Sequence, residues 1–290
     1  MQIYGMTAVT IPDLRGYEMI PFFSIVVVCL NPGEKLLKTM QSIQKQEFQD
    51  YEIILKDGGS TDGSLEKLDS GMPGLNIVTK PDLGIYDAMN QAVGKASGRF
   101  VFFLNCGDWF LDEQVLAKMH DRIIEEERKD AGKSRIYYGD VYERVTRQLV
   151  SSNPRLDAFG CYRNVPCHQA CFYERTLLIE HPFQLQYKVR ADYEQFLWCF
   201  FRADANPCYT GITVADYEGG GFSETKRNLA VSKQEHKEIV RKYMSSGQRF
   251  TYRLILCLTL APLRTRLSKN ERTAAIYNKL KALLYRGHLS

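Results

Sequence analysis

At 290 residues, with 44% hydrophobic and 25% charged residues, the chain is long enough for one large domain, or one domain with an appendage, around a sizeable core. Those proportions exclude a disordered or fibrous chain, and no apolar stretch approaches the ~20 residues that a membrane-spanning helix needs. The formal net charge of +4 hides an asymmetry: residues 226–290 carry 15 Lys/Arg against 3 Asp/Glu, a basic tail suited to an anionic surface, while the rest of the chain is net acidic.

Residues 1–21 show no periodic pattern and no apolar core of signal-peptide length, so they read as an extension of a cytoplasmic protein, at most peripheral to the inner face of a membrane. Residues 22–30, apolar and rich in β-branched side chains, predict a buried first strand. Asn31-Pro32-Gly33 turns at its carboxyl end, and a helix follows to Gln46 with Leu36, Leu37, Met40 and Ile43 at helical spacing. Residues 51–55 predict a second strand, followed by Lys56-Asp57-Gly58-Gly59-Ser60-Thr61-Asp62. Ser60 or Thr61 is then expected to cap a helix facing inward through Leu65 and Leu68. A third strand over 75–79 leads through Pro81-Asp82-Leu83-Gly84 to a helix over 85–96. The apolar run 100–104 predicts a fourth strand, buried on both faces, which stops at Asn105-Cys106-Gly107-Asp108.

Four strands alternating with helical segments indicate an α/β fold on a parallel sheet. Ligands of such sheets bind beyond the carboxyl ends of the strands, where Asp57, Asp82 and Asp108 all fall. Asn, Gly and Asp are also ordinary turn residues, so each carboxylate taken singly has a plain explanation. The eight cysteines sit mostly in apolar surroundings and read as buried thiols of a reducing compartment. Cys161, Cys167, His168 and Cys171 lack the paired short knuckles of a zinc site.

Residues 112–129 predict a helix with a charged outer face, residues 136–150 one or two strands, and residues 167–173 a strand passing through His168. Residues 190–202 predict an apolar helix entered by Asp192, as an N-cap or as a catalytic base. Gly219 to Ser223 reads as a flexible loop, with Lys226 and Arg227 beyond it to meet phosphate charge. A helix over 224–244 follows. Residues 249–267 have an apolar centre flanked by Arg249, Arg253, Arg264 and Arg266, the composition of an interfacial anchor or of a helix packed on the catalytic domain. No aromatic platform or motif accompanies the basic tail, so nucleic acid is not an expected partner.

Several stretches together carry a resemblance. Residues 24–31, the loop Asp57-Gly58-Gly59-Ser60-Thr61-Asp62-Gly63-Ser64, the segment 81–90 and Phe103-Leu104-Asn105-Cys106-Gly107-Asp108 resemble family 2 glycosyltransferases, in particular bacterial exopolysaccharide transferases of the colanic-acid type. Weaker similarity continues through His168-Gln169-Ala170, Ala191-Asp192-Tyr193, residues 220–223 and residues 275–279. The resemblance implies a GT-A nucleotide-sugar-binding fold with a mixed, mainly parallel sheet flanked by helices. Its domain would span 22–224, with a nucleotide half over 22–110, an acceptor half over 111–224 and a basic helical region over 225–290.

It also implies roles. Asp57 matches the carboxylate that bonds the nucleobase of a UDP- or GDP-linked donor. Asn31, Asp82, Gly84, Asp87 and Asn105 fall in the nucleotide pocket. Asp108 matches the metal-binding end of an Asp-x-Asp-type motif for Mg²⁺ or Mn²⁺, which would rest on Asp108 nearly alone because Asn105 and Gly107 replace the other acids. Asp192 matches the general base of an inverting transfer to a saccharide or lipid-linked acceptor, with Glu194 the weaker match. His168 is either a core residue or a contact to acceptor or diphosphate. The other reading of the same residues is a catalytically silent nucleotide-sugar-binding or scaffold protein, for which Asn105 is the support.

Overall fold

The computed structural model describes residues 20–69, 71–130, 133, 135–219 and 225–259. The expectations for residues 1–19, for the loop 220–223 and for 260–290, including Arg264 and Arg266, lie outside the described residues, as do the side chains of Lys226 and Arg227.

The apolar runs form the strands they predict. β1 (Phe23–Cys29), β2 (Tyr51–Asp57), β3 (Leu75–Thr79) and β4 (Phe100–Phe103) lie side by side in the order β3-β2-β1-β4, all parallel. Their register sets Cys29 level with Asp57 and Asp57 level with Thr79, so the loops that follow open along one edge. β4 continues that edge, since Leu104 N–H donates to Val26 O at 2.9 Å.

Side chains alternate between the two faces of a strand, and both faces of β1 are covered. Phe23, Ile25 and Val27 join Leu36, Met40 and Ile43 of α1 (Lys35–Gln44) and Val115, Leu116, Met119 and Ile123 of α3 (Val115–Asp130). Val26 and Val28 join α2 (Ile85–Val93) and the helices of the second half. Beyond β4 the sheet turns mixed. β5 (Trp109–Phe110), β6 (Ile136–Glu143), β7 (Gln148–Val150), β8 (Cys171–Glu174) and β9 (Pro207–Tyr217) extend it as β4-β8-β6-β9-β5, with β7 paired to β6.

Gly139 sits where β6 and β9 shift register, and a Cβ there would stand 2.0 Å from Ile212 O. Gly139→Ala therefore forces two backbones apart and is expected to destabilise the fold by about 3 kcal/mol or more, read as a loss of thermal midpoint.

Helices α4 (Ala158–Arg163), α5 (Arg175–Glu180), α6 (Ala191–Phe201), α7 (Lys226–Tyr243) and α8 (Ser246–Leu258) pack mainly on one face of the second half. Two expected elements differ. No helix follows Ser60, because Asp62 spends its carboxylate on the Gly33 and Ser64 N–H groups and the Ser64 hydroxyl, which fixes turns over 60–64. The strand expected through His168 begins only at Cys171, because a 3₁₀ turn occupies His168–Ala170.

Candidate active site

The parallel strand ends and the start of α6 form one site. Two loops are stapled at the mouth of β1 and β2: Asn31 N–H donates to Ser60 Oγ at 2.7 Å, and Asn31 Oδ1 accepts from Thr61 N–H at 2.9 Å. Asp57 is buried beneath them. Its carboxylate accepts from Gly59 N–H at 3.0 Å, from Ser60 N–H at 3.1 Å and from the Ser60 hydroxyl at 2.6 Å. Little acceptor capacity remains, so Asp57 shapes this loop before it can bond any base.

Lys56, fully buried, explains how Asp82 reaches the same edge. Its ammonium donates to Asp57 O at 2.8 Å, Lys80 O at 2.6 Å and Asp82 Oδ2 at 2.9 Å, using all three protons. Asp82 Oδ1 accepts from Gly84 N–H at 3.1 Å, and Gly84, with φ 124°, precedes α2. Gly58 lies so close that a Cβ would meet Asp82 Oδ2 at 2.9 Å. Asp87 accepts from Leu83 N–H at 2.9 Å and from Gln91, tying the first turn of α2 to the loop before it.

The loop 105–108 is pinned to α1 by Thr39, whose hydroxyl donates to Asp108 O at 2.8 Å and accepts from Gly107 N–H at 2.9 Å. The Asp108 carboxylate points into the protein, 5% exposed, accepting from Glu218 N–H at 2.8 Å and from Gln169 Nε2 at 2.9 Å. Burial raises its pKa above the ordinary carboxylate value, against the pull of those bonds and of Arg144. A cation at Asp108 would share the carboxylate with Gln169 and Glu218, each of which takes one lone pair of a different oxygen. Among the described residues no three His, Cys, Asp or Glu side chains group as metal ligands. A cation resting on Asp108 nearly alone needs no such group, since its remaining ligands would be diphosphate and water. Beside this loop lies a hollow of about 140 Å³ lined by Lys35, Lys38, Gly107, Trp109, Arg144 and Glu218. Glu218 is paired with Lys35 at 2.5 Å, and the Arg144 guanidinium covers the Trp109 ring at 3.4 Å.

His168 and Gln169 share one side because they sit in a turn; a strand would have sent them to opposite faces. Asn105 Nδ2 lies 3.0 Å from His168 Nε2, and His168 Nδ1 lies 3.3 Å from Asp192 Oδ2. With the amide donating to Nε2, the imidazole carries its proton on Nδ1 and donates it to Asp192, an assignment made from the bonding pattern. Asp192 is the second residue of α6, not its N-cap, a place taken by Arg190. Its Oδ1 accepts from Tyr193 N–H at 2.8 Å and stands 3.0 Å from the Tyr86 hydroxyl, which is also 3.0 Å from Val189 O. Burial opposes the charged form, yet the hydrogen bond and charge of His168, with Tyr193 N–H and Tyr86, hold Asp192 below the usual carboxylate range.

Glu194 is removed as a base. It is fully buried and bound to His181 Nε2 at 3.0 Å, to Lys242 Nζ at 2.6 Å and to the Tyr243 hydroxyl. Pattern reading missed Lys56, Tyr86, Gln169 and Arg144. Tyr86 and Gln169 lie inside stretches whose motif was visible, but nothing in their spacing marks a partner. The thiols of Cys29 and Cys106 are pushed up to about 12, by burial first and then by neighbouring negative groups.

Residues 24–181 match the family model described as glycosyl transferase family 2. A "PGL/p-HBAD biosynthesis glycosyltransferase" of Mycobacterium bovis is 36% identical over 211 residues, covering 71% of this chain and 80% of that protein. The crystal structure of S. aureus TarS 1-349 with UDP-GlcNAc superposes with a TM-score of 0.62 at 18% identity, over 79% of this chain and 70% of that one. The mannosyltransferase PcManGT of Pyrobaculum calidifontis, solved with GDP-Man and Mn²⁺, gives a TM-score of 0.59 at 13% identity, over 92% and 81% of the two chains. The curled α/β sheet is thus the GT-A fold, and the chain is a glycosyltransferase belonging to glycosyl transferase family 2.

Proposed function

We propose that the protein moves a sugar from a UDP- or GDP-linked donor to a saccharide or lipid-linked acceptor of a bacterial surface glycan, with inversion at the anomeric carbon and Asp192 as general base. The observation that supports this best is the partly exposed Asp192 carboxylate, kept ionised by His168 and Tyr86 at the edge where the donor-side loops meet. In the step, Asp192 takes the acceptor hydroxyl proton, the acceptor oxygen bonds to the anomeric carbon, and the bond to the diphosphate breaks with its electron pair leaving on phosphate. The tyrosine hydroxyl suits this cycle. Its one proton serves Asp192 while the carboxylate is charged and turns to Val189 O once Asp192 carries the acceptor's proton.

On the donor side, the stapled loops of Asn31, Asp57, Asp82, Gly84 and Asp87 hold nucleoside and phosphates through backbone groups they fix. The cations Lys35, Lys38 and Arg144 offset departing diphosphate charge. Both nucleotides stay in view, since TarS was solved with UDP-GlcNAc and PcManGT with GDP-Man. The relative named for PGL/p-HBAD biosynthesis supports an acceptor in polysaccharide or glycolipid synthesis. Release of UDP or GDP from a panel of nucleotide sugars, with a bacterial lipid extract as acceptor and with and without Mg²⁺ or Mn²⁺, tests the reading. No release from any donor overturns it.

The basic tail supports contact with an anionic membrane. No described helix is long and apolar enough to cross one. One face of α8 packs inward, with Tyr252 against Phe159 and Tyr162 at 5.3 Å. The other exposes Phe250, Leu254 and Leu258 at successive helical turns, beside Arg253. Full-length protein is expected to float with phosphatidylglycerol vesicles at low salt and to lose most of that binding in Phe250→Ser/Leu254→Ser. Full retention by the double variant removes α8 as the anchor.

A further inference from the structure

The loop that delivers the chain into α6, residues 188–190, is held by one buried carboxylate from α7. Glu235, 6% exposed, accepts from Lys188 N–H at 2.7 Å, Val189 N–H at 3.0 Å and Arg190 N–H at 2.9 Å. Three successive backbone N–H groups converging on one anion form a nest, a geometry that fixes the backbone wherever its anion is fixed. The anion is fixed: α7 is bonded to the same region by Ser232 Oγ, which accepts from Arg190 Nε at 2.7 Å, and α6 and α7 are tied again through Glu194 and Lys242. The middle residue of the nest is Val189, whose carbonyl faces the Tyr86 hydroxyl at 3.0 Å, and that hydroxyl stands 3.0 Å from Asp192. Arg190, the last, is the N-cap of the helix whose second residue is Asp192.

We propose that Glu235 is a positioning residue for sugar transfer: from α7 it sets the 188–190 backbone, and through that backbone it sets the Tyr86 hydroxyl and the Asp192 carboxylate. The inference rests on Asp192 being the base. It gives the first turns of the basic C-terminal region a part in the active site that composition alone would assign to an anchor. A displacement of about 1 Å at the reacting group costs on the order of 100-fold in rate, so a helix remote from substrate can govern turnover.

Other titratable groups around Asp192 are His168, Tyr173, Cys167 and Cys171. None of them contacts the nest. A change at Glu235 therefore reaches Asp192 by way of Val189 and Arg190, and through the Tyr86 hydroxyl, on which the Glu235 charge also acts through space.

Glu235→Gln keeps the shape but turns an NH₂ group toward backbone N–H groups, while Glu235→Asp keeps the charge on a shorter reach. Two readouts on full-length protein separate the possibilities: steady-state transfer, and titration of the Asp192 carboxyl by ¹³C NMR, which needs no turnover. In Glu235→Gln, kcat is expected to fall at least about 10-fold with the donor KM unchanged. The Asp192 titration should rise by about one pH unit, roughly the worth of one hydrogen bond to a charged group, against the smaller downward pull of losing the Glu235 charge. Glu235→Asp should lie between Gln and wild type in both. An unmoved Asp192 titration with wild-type kcat overturns the proposal, and so does unfolding of both variants, which would make Glu235 a purely structural carboxylate. If the titration moves but Asp192→Asn still transfers sugar, the base assignment falls and the positioning stands. If Asp192→Asn is inactive and Glu235→Gln leaves the titration in place, the reverse holds.

Discussion

Asp192→Asn is expected to lower the rate of sugar transfer by about 100- to 10,000-fold, the range that a positioned general base contributes, while donor binding persists. The substitution preserves volume and keeps an oxygen for Tyr193 N–H, so the thermal midpoint should move little. What it removes is the acceptor for a proton. Because His168, Tyr193 N–H and Tyr86 hold Asp192 below the ordinary carboxylate range against the opposing effect of burial, the acid limb of kcat/KM should fall below that range too. His168→Gln removes the strongest of those favourable partners and should move the limb upward. A carboxylate whose pKa is depressed by folding stabilises the protein above its unfolded value, and the contribution is lost as pH falls through the folded value. Asp108 runs the other way. Raised by burial, it makes the fold less stable as pH rises through the interval above the unfolded carboxylate value. Wild-type rates in a folded Asp192→Asn protein would sink the mechanism.

β1 and β4 were legible because burial on both faces writes an unbroken apolar run, whereas β3, an edge strand with Asn76 and Ile77 exposed, falls on the residues expected of it through Ile77, Val78 and Thr79, which are β-branched. Convergence of Asp57 and Asp82 was legible as well, since both follow strands that end level. What each carboxylate bonds was not. Asp57 serves its own loop, Asp82 serves Lys56, and Asp108 turns inward to Gln169, because the nearest unpaired N–H groups claim a buried carboxylate before any ligand does. The turn at His168 was hidden for a related reason. Its apolar neighbours read as a strand, and only the partners Asn105 and Asp192, 63 residues before it and 24 after, show why a turn is needed. Glu235 was the least visible. In a helix of mixed charge it looks like a solvated side chain, and its role depends on three backbone groups from a loop 45–47 residues earlier.

Lys56→Met should cost about 3–5 kcal/mol, the usual result of breaking a buried ion pair by removing one partner. For a chain of this size that is a fall in thermal midpoint on the order of 10 °C. The side chain is fully buried and its ammonium bonds two carbonyls and the Asp82 carboxylate, so methionine fills the space but strips Lys80 O and Asp82 Oδ2 of this donor, while Asp57 O keeps the Lys80 N–H at 3.0 Å. Of the three, the carboxylate is the costliest to abandon, since it carries a charge at 13% side-chain exposure. The double variant Lys56→Met/Asp82→Asn separates these terms. It removes the stranded charge and leaves the two carbonyls short only of the ammonium, so it should recover roughly half of the loss or more, a coupling that the cycle reads directly. Donor affinity should follow in part, because Asp82 also holds Gly84 N–H at the entry of α2, where the nucleotide loop meets the helix that carries Tyr86. A single Lys56→Met variant melting within about 2 °C of wild type would mean that the pair stabilises little, and that Gly58 and the Asp57 loop hold this edge without it.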